Sequence, residues 1–472
     1  MDRENPIYWQ VMPSEMKLAE IIKTNPPTFE YSCDFFVHLL HLTIEIPAKN
    51  KDLRRKDGYV PLNSTILQDK NRKYHQHLKY LVDNKVLEIR PHYTPGSKSR
   101  MYRISEAHLK DNLMELMVSD KNLIKHLAKQ YHLDLKTGKK YRYLQQWLND
   151  KLQVDDEAAM KYCIGLIKQA PYSEIYQIHQ QAYGKMFMIK MMKHKQYWFK
   201  VDKFGHRLHT NFTNLSKDIR QFVKYDKQNL VSIDIRNSQP YFGIKLLNEK
   251  YPNLLTTNNP ETEQSQPPTN TSVPIILVKS PEGLVPIDVQ LYTRLASGGK
   301  IYEYLETEMR KAIGDSYFTR EYIFDLGKRE VVKNEKTPRQ MVKDVTYQVF
   351  FSKNSWSTPE KELFAKLFPT VMKVFTSFKG NKHVAIDKRH KMLAQQLQRL
   401  ESYVMLDKVA KEISRLYPDI PLFTVHDSIV TTVGNENIVQ AAMEKIISAE
   451  MGVKPELKLE YWGTKAEMKK AA

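Results

Sequence analysis

Residues 230–243 read LVSIDIRNSQPYFG and decide the fold class. The short β-branched apolar run is typical of a buried strand, and Pro240 cannot continue a central strand. Asp234 therefore stands at the C-terminal end of a predicted strand, which would hold the carboxylate rigidly while the loop beyond leaves room for a ligand. A capping or turn role is the commoner explanation of an isolated Asp. Asp234 alone therefore does not indicate a metal site, which would need a second carboxylate elsewhere in the chain.

A second stretch supplies that partner. Residues 421–432, PLFTVHDSIVTT, place His426 and Asp427 between two apolar runs, which predicts a hairpin with the dipeptide in its turn. Burying an ionised Asp is costly unless a cation or hydrogen-bond donors compensate it. A hairpin-turn Asp is again the alternative. Asp234 and Asp427 together are predicted to hold two Mg²⁺ ions, or Mn²⁺ in their place, as phosphoryl transfer requires.

Between the two carboxylates, residues 337–354 read TPRQMVKDVTYQVFFSKN. The Thr-Pro pair predicts the start of a helix, and Arg339, Lys343, Tyr347 and Phe351 then recur at four-residue steps along one face. Such a face can bind a nucleoside triphosphate, with the cations on the phosphates and Tyr347 stacked near the base. The alternative is chance spacing on an ordinary solvated helix.

Composition agrees with a polyanionic partner. The 472-residue chain has a formal charge of +19 and is 11% aromatic, a mixture that favours nucleic acid. Its two cysteines, Cys33 and Cys163, lie far apart and predict neither a disulfide framework nor a zinc site. The sequence has no signal-peptide pattern and no long apolar run, so we expect a soluble, cytoplasmic monomer with no membrane contact.

The N-terminal residues have a different pattern. Residues 71–85 predict a helix ending near Asn84, and residues 86–104 predict a hairpin. A helix followed by a basic hairpin is the pattern of a winged helix, whose wing here carries Lys98, Arg100 and Arg103 for DNA phosphates. The alternative is a structural or protein-binding winged helix.

These patterns predict a division of the chain. The predicted parts are a winged-helix domain at 1–110, a helical thumb-like region at 111–204, and a catalytic region at 205–472 with a disordered insertion at 256–272.

The three blocks occur in the order of motifs A, B and C of the family-A DNA polymerases and of the phage and mitochondrial single-subunit RNA polymerases. The chain resembles both families from about residue 205 to 465. Further similar segments are GHRLHTNFTNL (205–215), SGGKIYEYL (297–305), LFPTVMKVF (367–375) and QQLQRLESYVM (395–405).

The resemblance implies an α+β fold of the right-hand polymerase type, with an antiparallel palm sheet and helical fingers and thumb. It also implies a role for each matching residue. The implied metal ligands are Asp234 and Asp427, with Lys343 and His426 as further catalytic residues; nucleotide binding would involve Arg339, Lys343, Tyr347, Phe351 and Gln239; primer-template binding would involve Gln398, Arg207 and His209.

The chain departs from both families in ways that concern the sugar. Ser428 follows Asp427 as in the RNA polymerases, and no acidic residue lies between Asp234 and Glu249. We expect a DNA polymerase without proofreading that extends a primer, of a size that suits a phage or other mobile element. The alternatives are a single-subunit RNA polymerase or primase, and a non-catalytic DNA-binding replication initiator.

Overall fold

The computed structural model describes residues 7–91, 99–250, 277–280, 283–325, 330–380 and 384–463. Its helices and antiparallel sheets confirm the predicted α+β class. The predicted insertion at 256–272 lies outside the described residues. No helix in the described part of the chain is long and apolar enough to cross a membrane.

The N-terminal part is built around α2, which is buried along most of its length and is capped by the Ser32 side chain. The helix predicted at 71–84 is α4, and the predicted hairpin is β3 with β4, joined at its edge by β2. The winged-helix assignment itself stays a prediction. The elements are β1 (Trp9–Pro13), α1 (Leu18–Thr24), α2 (Cys33–Lys49), β2 (Val60–Pro61), α3 (Ser64–Lys70), α4 (Tyr74–Asp83), β3 (Leu87–Ile89), β4 (Met101–Ile104) and β5 (Leu113–Met117).

The following part is mostly helical, as its sequence predicts. It packs against the N-terminal part in one hydrophobic cluster, in which Phe36 and Leu81 meet Met186 and Phe187. The division at residues 110 and 204 stays a prediction. The elements are α5 (Lys121–Lys140), α6 (Arg142–Gln145), β6 (Leu152–Val154), α7 (Asp156–Lys168), α8 (Ile175–Lys193), β7 (Lys200–Val201), β8 (Leu208–His209), α9 (Asn211–Asn214) and β9 (Val223–Tyr225).

The C-terminal part holds the main antiparallel sheet, whose strand order is β15-β16-β10-β9-β6, with β17 also paired to β10. Its elements are β10 (Gln228–Ile235), α10 (Ser238–Lys250), β11 (Leu277–Ser280), β12 (Gly283–Pro286), α11 (Ile287–Ser297), α12 (Ile301–Ile313), α13 (Ser316–Thr319), β13 (Tyr322–Asp325), β14 (Glu330–Lys333), α14 (Pro338–Phe351), α15 (Pro359–Leu367), α16 (Pro369–Phe378), α17 (Met392–Ser402), a π-helical stretch (Tyr403–Ala410), α18 (Lys411–Leu416), β15 (Phe423–Val425), β16 (Ser428–Thr432), α19 (Glu436–Met451) and β17 (Leu457–Tyr461).

Strand β10 is central because both of its faces are buried. Ile233 and Ile235 belong to the cluster formed with the C-terminal helices, whereas Leu230 belongs to the cluster formed with the N-terminal and middle helices. Successive side chains of a strand alternate between the two faces. Asp234 therefore lies on the face of Leu230 and Ser232, towards the N-terminal part.

Candidate active site

Two carboxylates meet at the end of β10. Asp234 is its penultimate residue and pairs across the sheet with Ser428, the first residue of β16. Asp427 and His426 form the turn between β15 and β16, as the sequence predicts. His426 has φ 55, in the left-handed region that non-glycine residues seldom adopt. The hairpin thus sets Asp427 beside Asp234 at a strained turn.

The environment of Asp234 disfavours its ionisation. Burial, and next the charge of Asp427, raise the pKa of Asp234 to about 7. The Ser428 hydroxyl donates to Asp234 Oδ1 at 2.5 Å and partly offsets this rise. Among the described residues, neither Asp234 nor Asp427 forms an ion pair with a cationic side chain. The pair therefore has excess negative charge that a bound cation would compensate.

The donors present suit Mg²⁺. It prefers oxygen ligands and is commonly held by one or two carboxylates together with substrate phosphates, rather than by an all-protein cage. No cluster of three or more His, Cys, Asp or Glu ligands occurs in the described ranges, so a cage is not available there. Two neighbouring half-buried carboxylates that form no ion pair in the described ranges fit an ion that shares its ligands with a phosphate.

Helix α14 has the predicted start and the predicted face. Thr337 caps it in a reciprocal arrangement with Gln340, and its apolar side is buried. On the other side Arg339 and Lys343 are exposed, while Tyr347 and Phe351 are half-buried. The two rings meet edge to face at 5.6 Å between centroids, and Lys343 Nζ lies 5.6 Å from the Tyr347 ring centroid. The four side chains therefore share one accessible strip.

A hydrogen bond joins α14 to the carboxylate strand. Arg339 Nη2 donates to Asn237 Oδ1 at 3.3 Å, and Asn237 follows Asp234 by three residues in a left-handed conformation. The Arg339 guanidinium also lies 5.1 Å from the ring centroid of Tyr302. Tyr302 is buried, and the charge of Asp427 is among the causes that raise its pKa. Arg339 of α14 thus reaches the loop that follows the strand carrying Asp234.

Behind the pair lies a buried polar group centred on Glu401. Arg207 forms an ion pair with its Oε1 at 2.7 Å, and Gln239 donates to its Oε2 at 2.5 Å. Burial, followed by the charge of Asp427, raises the pKa of Glu401 to about 8. Gln239 and Arg207, for which the sequence predicts nucleotide and primer-template contacts, are thus occupied with Glu401. Those contacts stay predictions.

The remaining predicted residues are His209 and Gln398, for the primer-template, and His426, as a further catalytic residue. His209 contacts Asp202 at 3.0 Å, and its ring centroid lies 5.8 Å from that of His426. Burial lowers the pKa of His426 to about 4, and the charge of Arg207 is the next largest cause. Gln398 packs against Gly205, where a Cβ would come within 2.5 Å of the Gln398 amide oxygen.

The cations predicted on the hairpin are far from this centre in the sequence. Arg103 is occupied internally: it pairs with Glu88 at 2.6 Å and stacks 3.7 Å from the Tyr176 ring centroid. Arg100 is described and lines a groove between α4 and β4, whereas Lys98 lies outside the described residues. Their DNA contacts stay predictions, and Arg103 would have to give up internal partners to make one.

Sequence reasoning missed three residues of the site. Glu401, Tyr302 and Asn237 contact or influence the predicted residues, yet none of them received a role. A signal existed only for Glu401, which lies four residues after Leu397 and therefore continues the apolar stripe of α17. A carboxylate on a buried stripe needs a partner.

This chain resembles known proteins in its fold and not in its sequence. No protein-family model matches it, and no curated protein matches it. Its fold is similar to that of a DNA polymerase domain. The solved structure is the POL domain of Pol1 from M. smegmatis in complex with DNA primer-template and dNTP, with 10% sequence identity and a TM-score of 0.43. The similarity covers 72% of this chain and 73% of that one.

Proposed function

We propose that this protein is a nucleotidyltransferase of the right-hand polymerase type, which extends a nucleic-acid strand from nucleoside triphosphates. The observation that carries the proposal is the carboxylate pair, Asp234 and Asp427, linked through Asn237 and Arg339 to the cationic face of α14. Anionic and cationic groups side by side match a substrate that brings both metal ions and phosphates.

Each part of the site has a distinct task in this proposal. Bound Mg²⁺ would activate the attacking hydroxyl and neutralise the leaving pyrophosphate. Asp234 and Asp427 would hold it, and Arg339 and Lys343 would bind the triphosphate. Tyr347 would stack near the base, which every nucleobase permits because each has a π-face.

The carboxylates are tested by primer extension with DNA and RNA templates and with both kinds of nucleotide. Asp427→Asn and Asp234→Asn should each slow incorporation at least about a hundredfold, because each removes a ligand that acts in the transition state. Asp419→Asn is the matched control, since Asp419 is exposed in the loop before β15. Extension by Asp427→Asn at nearly the wild-type rate would overturn the proposal.

The same assay separates the alternatives. DNA binding, followed by fluorescence anisotropy, should survive Asp427→Asn, since the carboxylate faces the metal and not the duplex. A wild-type protein that binds DNA but extends no primer with any template and nucleotide would instead be a non-catalytic initiator.

The choice of sugar depends on Phe351. Its phenyl ring cannot donate a hydrogen bond to a ribose 2′-hydroxyl, and Gln239 is occupied with Glu401. We expect a preference for deoxynucleotides of only about ten- to two-hundred-fold, the range available when a pocket neither rewards nor strongly excludes one hydroxyl. A strong preference for ribonucleotides would assign the protein to the RNA polymerases or primases.

A further inference from the structure

Three cations from distant parts of the sequence lie near one another and near Trp462, which is bonded to the strand that carries Asp234. Lys51 begins a short 3₁₀ turn after α2, and Arg54 follows this turn. Arg220 begins a similar turn before β9. Burial lowers the pKa of Lys51, and the charges of Arg54 and Arg220 lower it further. Charges act on one another in this way only over short distances.

Arg220 is fixed next to the strand that carries Asp234. Its guanidinium lies 4.9 Å from the ring centroid of Trp462. The Trp462 indole donates to Ser232 Oγ at 3.3 Å, and its backbone N–H donates to the Leu230 carbonyl at 2.8 Å. Ser232 precedes Asp234 by two residues on the same face of β10. The charge of Asp234 is one of two that favour the charged form of Arg220.

The turn carrying Lys51 is fixed on the same side. Asn214 donates from Nδ2 to the Lys49 carbonyl at 3.3 Å, and Arg54 donates from Nε to the Pro47 carbonyl at 2.9 Å. Asn214 belongs to α9, whose Phe212 ring stacks on that of Phe423 at 4.3 Å and lies 5.7 Å from that of Trp462. The turn that follows α2 is therefore linked through α9 to β15, the strand that leads to Asp427, and to the Trp462 that contacts Arg220.

None of these three cations has a close ionic partner in the described part of the chain. Within the described ranges, Lys51, Arg54 and Arg220 form no ion pair with a carboxylate. Arg220 Nε is buried without a hydrogen-bond partner, and Glu460, whose charge reaches Arg220, is already bound by Lys217 at 3.0 Å. Neighbouring like charges repel and a buried donor without a partner is costly, so an anionic ligand would relieve both.

We propose that Lys51, Arg54 and Arg220 bind backbone phosphates of the nucleic-acid strand whose end meets the carboxylate pair. This inference rests on the proposed function, because it places the strand that is extended. A strand suits the site better than a free triphosphate does, since the triphosphate is assigned to Arg339 and Lys343 of α14, whereas these three cations come from other elements. The N-terminal part would then form one wall of the strand channel.

The test is the salt dependence of primer-template binding by the full-length protein, measured by fluorescence anisotropy. Lys51→Ala should lower the log-log slope by about 0.7 to 0.9, the value expected for one lost phosphate contact. Between 50 and 200 mM salt its affinity should therefore fall about threefold less than that of the wild type. Lys56→Ala, an exposed lysine of the same loop, is the matched control and should leave the slope unchanged.

A second variant guards against misfolding. Arg220→Gln keeps a polar side chain over Trp462 and should lower the slope by a similar amount, with its melting temperature measured in parallel. Unchanged slopes in both folded variants would overturn the proposal. So would an unchanged slope with a raised KM for nucleotide, which would assign the cations to a free triphosphate. Neither result would touch the proposed function, which the Asp427→Asn assay tests separately.

Discussion

Replacing Asp234 by Asn should make the protein more stable at pH 8 while abolishing its proposed activity. The carboxyl group has its pKa raised from about 4 to about 7, and each pKa unit corresponds to about 1.4 kcal/mol. Holding Asp234 ionised in the folded state therefore costs about 4 kcal/mol at most. The amide keeps the size of the carboxyl group and a hydrogen-bond partner for Ser428, but it carries no charge.

The sign of the pH dependence follows from the direction of the pKa change. A carboxyl group whose folded pKa lies above its unfolded value favours folding when protonated. This contribution is present at low pH and is lost as the pH rises from about 4 to about 7. The wild type should therefore lose stability relative to Asp234→Asn across that window.

The measurement is urea unfolding at several pH values, with and without Mg²⁺. Glu401 adds a pH dependence of its own, which cancels in the difference between wild type and variant. Mg²⁺ at pH 8 should raise the stability of the wild type by more than that of the variant, because the ion binds the ionised pair. Asp419→Asn, the exposed control, should follow the wild-type curve. Equal curves for wild type and Asp234→Asn would refute the reasoning.

Further predictions concern groups around the site. Arg207→Met should cost about 1 to 3 kcal/mol in urea unfolding at pH 7, because burial already raises the pKa of Glu401 to about 8 and the largely neutral carboxyl group then loses a buried hydrogen-bond donor. Glu401→Gln should cost less, and a double variant no less stable than Glu401→Gln would support the coupling. Lys379 is buried, and burial lowers its pKa to about 7. As the pH rises from about 7 to 10, the wild type should therefore gain stability relative to Lys379→Met by up to about 1.4 kcal/mol per pH unit. Parallel curves of stability against pH would contradict this. Thr337→Ala removes the reciprocal cap with Gln340 and should cost about 1 kcal/mol; an unchanged unfolding midpoint would show that tertiary packing alone holds the start of α14.

The sequence predicts those parts of the site whose structure is determined by residues close to one another in the chain. A β-branched run followed by Pro240 locates the end of β10, and two apolar runs locate the turn at Asp427. A Thr-Pro pair locates the start of α14, and a four-residue period locates its exposed face. Each of these signals depends on residues within a few positions of one another.

The parts that the sequence leaves out depend on contacts between distant residues. Gln239 lies in a segment whose helix period allows it to face either the nucleotide or the core, and only the position of Glu401, 162 residues later, decides its partner. Arg103 fits a phosphate-binding wing by spacing, but its partners Glu88 and Tyr176 meet it through tertiary packing. Composition cannot distinguish a cation that binds DNA from one that binds a neighbouring carboxylate.

Several departures from the rules of stable folding occur together around Asp234, and their coincidence there is itself an argument for function. Asn237 and His426 adopt left-handed backbone conformations on the two sides of the carboxylate pair. Asn237 Nδ2, Gln239 Oε1 and His426 Nδ1 are buried without hydrogen-bond partners. Strain, orphan polar atoms and an ionisable group with a raised pKa each destabilise a protein, and stable folds rarely keep them together. Their coincidence at the end of one central strand is what a site that binds a charged ligand would show.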